Sequence, residues 1–170
     1  TAEGPNGSHV LFGGSDAPFG TIFYADTWVQ GEGALAGTFG AGCAGTFGTP
    51  ALAPTSLPAL GGSFDLDATN LDPAGGVAFL AIGWSNTTSL LGPLPVDLQA
   101  YGFGSGCELL GSAEFSTLFP IPGGMGTYSL TLPSAMVLVG LDLYFQVGSV
   151  DAAATGGFAF SNGVAGTIGN

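Results

Sequence analysis

Lysine and arginine are absent from this sequence, so every fixed charge on the chain is negative. Twelve Asp and Glu residues give a formal net charge of −12 at pH 7, and His9 is the only side chain that can become cationic near neutral pH. Internal ion pairs with Lys or Arg cannot form. The charge repels phosphate backbones and anionic lipid headgroups, which argues against nucleic acids and membrane surfaces as partners. Cationic partners and metal ions would be attracted instead.

The scarcity of basic side chains also limits enzymatic chemistry. Ser-His-Asp and Cys-His catalysis need a positioned base, but the single histidine, His9, is interpreted as a polar residue that precedes a strand. The glycine-rich stretch 102–106 lacks the lysine and the helix of a phosphate-binding loop. Paired carboxylates such as Asp65 and Asp67 are the remaining option, as in glycosidases, although chance pairs are common among twelve acids. We therefore expect no enzymatic activity.

Long apolar runs are missing too, since a membrane-spanning helix needs about 18–20 such residues. The nearest candidate, residues 132–147, is interrupted by Pro133, Gly140 and Asp142. The sequence starts with threonine rather than methionine and shows no basic leader. We interpret it as the mature form of an exported protein, and expect it to be secreted or displayed at the cell surface.

Cysteine is nearly absent, with Cys43 and Cys107 as the only two. A single pair in a glycine-rich, exported chain predicts a disulfide. Closing so long a loop would stabilise the fold by about 4 kcal/mol, because it restricts the unfolded chain. The alternative is two buried free thiols.

Glycine, proline and apolar residues are abundant. The chain of 170 residues has 32 Gly and 11 Pro, is 46% hydrophobic and only 7% charged, against roughly 25% charged in a typical domain. Disorder requires low hydrophobicity, so many short strands joined by Gly and Pro turns fit best. We predict an all-β fold, an antiparallel β-sandwich or jelly-roll with an N-terminal two-strand extension.

Alternating and apolar segments locate the strands. After the early strand at 9–14, strands are predicted at 21–30, 63–69, 77–84, 96–101, 107–110, 115–121, 127–132, 141–150, 158–161 and 164–168. The last two would form a hairpin around Asn162-Gly163, a type I′ turn signal. Trp84 is expected in the core, and residues 133–140 hold the only expected helical turn. The predicted organisation is an N-terminal strand segment at 1–35, a Gly/Pro-rich linker at 36–60 and a β-sandwich domain at 61–170.

Two resemblances accompany this pattern. Residues 10–14 (VLFGG) and 26–29 (DTWV) resemble one kelch-type propeller repeat. A propeller needs about four blades or more, so a single repeat is at most a fragment of one.

The rest of the chain resembles a glycine-rich β-domain found at the C-terminal end of many secreted planctomycete-type bacterial surface proteins, often behind kelch-like repeats. The matching residues are 39–43 (FGAGC), 60–64 (LGGSF), 106–107 (GC), 141–146 (LDLYFQ) and 161–169 (SNGVAGTIG). The resemblance implies a secreted β-domain and no particular activity. The usual relatives carry basic residues, which this chain lacks.

The N-terminal segment is the predicted interface. An isolated two-strand unit is marginal in water, so its apolar side chains must pack either on their own domain or on a neighbour's sheet by strand addition. The residues concerned are Val10, Leu11, Phe12, Phe19, Ile22, Phe23, Tyr24 and Trp28.

One constellation has the spacing of a calcium ligand set. Asp65, Asp67, Asn70 and Asp72 place oxygen ligands along a strand and into a turn, which suits Ca²⁺. The alternative is a solvated strand face followed by an Asx turn.

Together these features favour a structural subunit of an extracellular assembly, a homo-oligomer or a filament, built by exchange or docking of the N-terminal segment. The alternative is a monomeric cell-surface adhesion or glycan-binding module, dependent on calcium. In that case Trp28, Tyr24 and Tyr101 would form a sugar-stacking platform, although core packing is their more ordinary role.

Overall fold

The computed structural model describes residues 33–170 in full and, before them, the strand backbone of residues 2–3, 9–15 and 23–30. The strands, numbered in chain order, are β1 (Ala2–Glu3), β2 (His9–Ser15), β3 (Phe23–Gln30), β4 (Leu35–Phe39), β5 (Ala51–Pro54), β6 (Ser63–Thr69), β7 (Val77–Gly83), β8 (Thr88–Ser89), β9 (Gly92–Pro93), β10 (Val96–Asp97), β11 (Glu108–Leu109), β12 (Phe115–Pro120), β13 (Gly126–Thr131), β14 (Asp142–Val150) and β15 (Phe158–Thr167). Short 3₁₀ turns lie at Pro73–Gly75, Leu98–Tyr101, Pro122–Gly124, Met136–Leu138 and Thr155–Gly157. No helix among the described residues has the length and apolar character needed to cross a membrane.

Most strands belong to two antiparallel sheets that pack face to face. The larger sheet has the order β1-β2-β3-β4-β15-β14-β7-β12, and the smaller has the order β13-β6-β5. Two short ladders, β8–β9 and β10–β11, lie outside them. The predicted all-β antiparallel sandwich is therefore confirmed. The helical turn expected within residues 133–140 is present as the 3₁₀ turn Met136–Leu138.

Alternation along the strands builds the core between the sheets. On β6, Phe64, Leu66 and Ala68 are buried, and the intervening residues are only partly covered. The ring of Phe64 meets that of Phe145 on β14 edge to face, with centroids 5.5 Å apart. Full burial of such a side chain stabilises the fold by roughly 1.5–3 kcal/mol, so these contacts hold the two sheets together.

A second apolar cluster covers the other face of the larger sheet. The rings of Phe79 on β7 and Phe160 on β15 lie 6.0 Å apart, and Phe103 packs on Phe160 at 5.3 Å. The Cys43–Cys107 disulfide lies in the same cluster, with its Cα atoms 4.7 Å apart and a sequence separation of 64. The predicted disulfide is confirmed.

The hairpin expected around Asn162-Gly163 is wrong, because β15 runs unbroken from Phe158 to Thr167. The Asn162 amide instead bonds to the smaller sheet, accepting from the Leu52 amide and donating to the Leu52 carbonyl at 2.9 Å each. A Cβ on Gly163 would lie 2.5 Å from the Phe39 ring. This glycine therefore serves close packing rather than a turn.

The strand expected at 96–101 is also shorter than predicted. It ends at Asp97, whose carboxylate accepts from the Gln99 amide at 2.8 Å and caps the 3₁₀ turn that follows. Local capping by Asp competes with strand pairing, which explains the early end of β10.

Residues 36–60, expected as a linker, hold β4 and β5 instead. β4 pairs with β15 and β5 pairs with β6, and Ala36 and Leu52 are buried in the core. Pro54 is tolerated at the end of β5 because an edge strand can lose an N–H without losing a ladder bond. The prolines therefore did not prevent strand formation, and the predicted linker was wrong for this reason.

Candidate functional site

One lateral side of the sandwich is built by a segment of the chain that has no charged residue. No acidic residue occurs from Phe115 to Leu141, and these residues form β12, β13 and the turns after them. We call this segment, residues 115–141, the charge-free side. In a chain of net charge −12, this segment adds no carboxylate to the repulsion that a second acidic molecule meets.

The charge-free side also contains an open edge of each sheet. β12 ends the larger sheet and β13 ends the smaller one, and the rings of Phe119 and Tyr128 meet between them at 6.1 Å. Terminal strands present unpaired backbone N–H and C=O groups that can pair with another strand. Apolar side chains are exposed along the same side, with Leu118 69% and Val137 88% exposed.

An apolar slot of about 300 Å³ lies between the sheets at this side. Its walls include Ile82 and Trp84 at the end of β7, Phe115 on β12, Leu130 on β13, Leu138 on the 3₁₀ turn and Leu143 on β14. The Thr131 hydroxyl and the indole N–H of Trp84 are the polar side-chain groups of the lining. Such a slot suits an apolar side chain and offers too few hydrogen-bonding groups to orient a sugar.

Trp84 stands at the mouth of the slot, although the sequence predicts it in the core. Its side chain is 45% exposed and meets the Phe115 ring edge to face, with centroids 6.0 Å apart. The core prediction is wrong because β7 ends at Gly83, one residue before the tryptophan.

A polar turn fixes the position of Trp84. The Ser112 hydroxyl accepts from the Trp84 and Ser85 amides at 3.0 Å each and donates to the Glu114 carboxylate at 2.6 Å. The hydrogen bond from the Ser112 hydroxyl is the main cause that holds the pKa of Glu114 below its usual value. Backbone amides, including that of Trp84, act in the same direction. Gly83 is required here, because a Cβ would lie 2.5 Å from the Ser112 hydroxyl.

The loop that carries Cys43 is anchored on the opposite face, away from the slot. The Cys43 amide donates to the Phe160 carbonyl at 2.9 Å. Asp151, only 2% exposed, accepts from the Thr46 hydroxyl at 2.6 Å and from the Ala153 amide at 3.1 Å. Hydrogen bonds from Thr46 are the main cause that lowers the pKa of the Asp151 carboxyl.

Gln146 attaches the Cys107 segment to the same sheet. Its amide group donates to the Glu108 and Ser161 carbonyls at 2.8 and 3.0 Å and accepts from the Leu110 amide at 3.0 Å. These hydrogen bonds and the disulfide hold the loops of Cys43 and Cys107 on this face of the larger sheet. We therefore assign this face a role in stability.

The four predicted calcium ligands have separate partners. Asp65 accepts from the Ser63 hydroxyl and Asp67 from the Thr127 hydroxyl at 3.1 and 2.7 Å. Asp72 caps the 3₁₀ turn Pro73–Gly75 by accepting from the Ala74 amide at 2.8 Å, while Asn70 adopts φ 59° and donates to the Thr49 carbonyl. In the described part of the chain, no three His, Cys, Asp or Glu side chains come together as a metal would require. Calcium binding by these four residues stays a prediction.

The predicted interface residues lie on strands of the larger sheet or outside the described residues. Val10, Leu11 and Phe12 belong to β2, and Phe23, Tyr24 and Trp28 belong to β3. Phe19 and Ile22 lie outside the described residues. β3 pairs with β4 of the same chain, with Trp28 opposite Gly37, so the N-terminal strands extend their own sheet.

The slot and the charge-free side were missed from sequence, although one signal was visible. The gap in acidic residues between Glu114 and Asp142 is longer than the chain's acid content suggests, and it spans two predicted strands. Both strands lie at the edges of their sheets on the same side of the molecule. This arrangement depends on pairing between distant segments, which the sequence pattern does not specify.

Comparison with protein-family models, with curated proteins and with solved structures finds no match for this chain.

Proposed function

We propose that this protein is a structural subunit of an extracellular assembly in which copies associate head to tail, in its simplest form a filament. The observation that carries the proposal is the charge-free side, where the open edges β12 and β13 coincide with exposed apolar side chains. Two copies of net charge −12 repel each other in most orientations. Residues 115–141 contribute no carboxylate of their own to a contact, and covering their exposed apolar side chains removes apolar surface from water.

Head-to-tail growth is favoured because the two ends of the larger sheet differ. Among the described strands, β1 and β2 lie at one end and β12 lies at the other. When two copies meet through unlike surfaces, each copy still has one surface free. The same contact can therefore repeat, which gives a ring or a filament. The Cys43–Cys107 disulfide supports an oxidising, extracellular location.

Negative-stain electron microscopy of the intact protein, with sedimentation velocity on the same sample, tests this function. We expect elongated species of many subunits that grow with protein concentration and ionic strength. A monodisperse monomer across the accessible concentration and salt range would refute the proposal.

A further inference from the structure

We propose that the apolar slot, together with the Glu114 carboxylate at its mouth, binds small primary alkylamines. The alkyl chain would fill the slot, and the ammonium group would stay at the mouth beside the carboxylate. This site goes beyond the proposed assembly, because a single copy carries all of it. Glu114 and the residues that line the slot all lie in the described part of the chain.

Glu114 lies at the mouth of the slot because it adjoins two residues of the lining. It directly precedes Phe115 in the chain, and its carboxylate accepts from the Trp84 backbone amide at 3.2 Å. The rings of Trp84 and Phe115 meet edge to face at this mouth, and both belong to the lining. The carboxylate is therefore held next to an opening whose lining is itself uncharged.

One oxygen of this carboxylate is fixed, and the other is available to a ligand. Oε2 accepts from the Ser112 hydroxyl at 2.6 Å and from the Trp84 amide at 3.2 Å. Within the described residues, Oε1 has no hydrogen bond, and Glu114 is exposed to solvent. The hydrogen bond from Ser112 is the main cause that lowers the pKa of Glu114, so the carboxylate is ionised at neutral pH.

Charge complementarity selects a cationic ligand at this mouth. The chain has no Lys or Arg that could neutralise Glu114, and its net charge of −12 attracts small cations. An anionic ligand such as a fatty acid would be repelled from the same mouth. Exposed ion pairs contribute little to binding, so the apolar part of the ligand must supply most of the affinity.

The lining of the slot selects an aliphatic chain for its interior. Leu130, Leu138 and Leu143 contribute to its walls, and its volume of about 300 Å³ is at the lower limit of ligand cavities. Such a volume suits a small molecule. Each methylene group that moves from water into apolar surroundings of this kind should strengthen binding by about fourfold.

The arrangement also sets the orientation of the ligand, which excludes the lysine side chains of a protein partner. A lysine side chain that entered the slot would carry its ammonium group into the apolar interior first. Burying an unpaired charge there is strongly unfavourable. A free alkylamine enters with its methyl end and leaves its ammonium group in water beside Glu114.

Titration of the full-length protein with butylamine, hexylamine, hexanol, hexanoate and acetyl-lysine amide tests the site. NMR signals of the Trp84 indole and of the Leu130 and Leu138 methyl groups report on the slot. Low protein concentration and low ionic strength keep the copies apart, so assembly does not enter the measurement. We expect affinity for amines to rise about fourfold per methylene group. Hexylamine should bind more tightly than hexanol, hexanol more tightly than hexanoate, and acetyl-lysine amide not at all.

Glu114→Gln tests the carboxylate separately from the slot. The glutamine side-chain oxygen can still accept from Ser112 and Trp84, but the charge is lost. E114Q should bind hexylamine about two- to fivefold more weakly, the range expected for an exposed ion pair, and should bind hexanol unchanged. Asp72→Asn is the matched control, because it removes one charge at a turn that does not line the slot.

Leu138→Trp tests the slot, because it fills the space from one wall. L138W should lose binding of both hexylamine and hexanol. Val137→Trp is its control, since Val137 is 88% exposed and does not line the slot. Thermal unfolding establishes that each variant is folded, and if L138W does not fold, the chain-length dependence in the unsubstituted protein decides.

Two results would overturn the proposal. If hexanol binds as tightly as hexylamine, or E114Q binds hexylamine as tightly as D72N does, the carboxylate does not select the ligand. If folded L138W still binds hexylamine, or affinity does not depend on chain length, the slot is not the site. Neither result bears on the proposed assembly, which electron microscopy tests separately.

Discussion

At the scale of single residues, Asp151 shows how an entirely acidic chain retains a buried carboxylate. The chain has no Lys or Arg to pair with it, and hydroxyl and amide donors from Thr46, Ala153 and Ala154 surround it. These charge-assisted bonds favour the ionised form and lower its pKa below the usual 3.8. The charge therefore attaches the loop of Cys43 to the end of β14.

Replacing Asp151 by Asn should lower the free energy of unfolding at neutral pH by about 1–3 kcal/mol, since the loop loses charge-assisted bonds. The folded pKa of Asp151 is depressed, so its stabilisation is full above pH 3.8 and is lost as the pH falls through the folded pKa. The difference in free energy of unfolding between D151N and the unsubstituted protein should therefore become smaller over that acid range. Denaturant unfolding at a series of pH values measures it.

Asp72→Asn is the control, because Asp72 caps an exposed turn through one backbone bond that Asn can also make. Its effect should stay within about 0.5 kcal/mol. If the free energies of unfolding of D151N and the unsubstituted protein differed by the same amount down to the lowest pH, the Asp151 charge would not have this role.

Gly163 makes a second test at this scale. Ala at this position would put its Cβ 2.5 Å from the Phe39 ring, so G163A should destabilise the protein by about 1–3 kcal/mol through overpacking. Gly104→Ala is the matched control, since its Cβ would make an ordinary contact of 3.5 Å with the Cys107 sulfur. Thermal unfolding compares the two, and equal melting temperatures would contradict the close packing of β15 against β4.

At the scale of elements, predictions from sequence succeeded where a strand's pattern depends on one buried face. β6 was located to the residue because Phe64, Leu66 and Ala68 alternate with polar residues. Prediction failed where distant contacts decide the structure. The Asn162 amide bonds to Leu52 across the sandwich, so a local turn signal did not form a turn.

The candidate site was less predictable than the fold for the same physical reason. The slot combines residues from β7, β12, β13 and β14, and no local pattern specifies which strands become neighbours. Trp84 continues an apolar run in the sequence, so it was expected in the core. Its side chain is exposed because β7 ends just before it. The charge-free segment was readable from composition, but its position at two sheet edges was not.

The edge strand β12 carries a direct prediction at this scale. Leu118 lies on it and is 69% exposed, so Leu118→Asp should change stability little while placing a carboxylate on the charge-free side. We expect assembly to be lost, because each contact would then bury or oppose an unpaired charge. Light scattering measures it, with Leu90→Asp as the control of equal charge change, and loss of assembly in both variants would mean that net charge alone is responsible.

At the scale of the whole molecule, the proposed association depends on the balance between a charge of −12 and the charge-free side. Repulsion between exposed charges is screened over about 10 Å at 0.1 M salt and about 3 Å at 1 M. Apolar contact does not weaken under these conditions. Salt should therefore promote assembly, which is the opposite of what an interface built on ion pairs would show.

Hydrogen–deuterium exchange of the intact protein at low and high ionic strength tests this account most directly, because it reports which backbone amides an assembly covers. Among residues 115–119 of β12, the amides that do not bond to β7 should exchange more slowly in high salt, when the edge pairs with another copy. The exchange rates of amides at residues 88–92, around the exposed Leu90, should be unchanged. Assemblies that form while β12 exchanges as fast as in the monomer would contradict the claim that copies meet at the charge-free side.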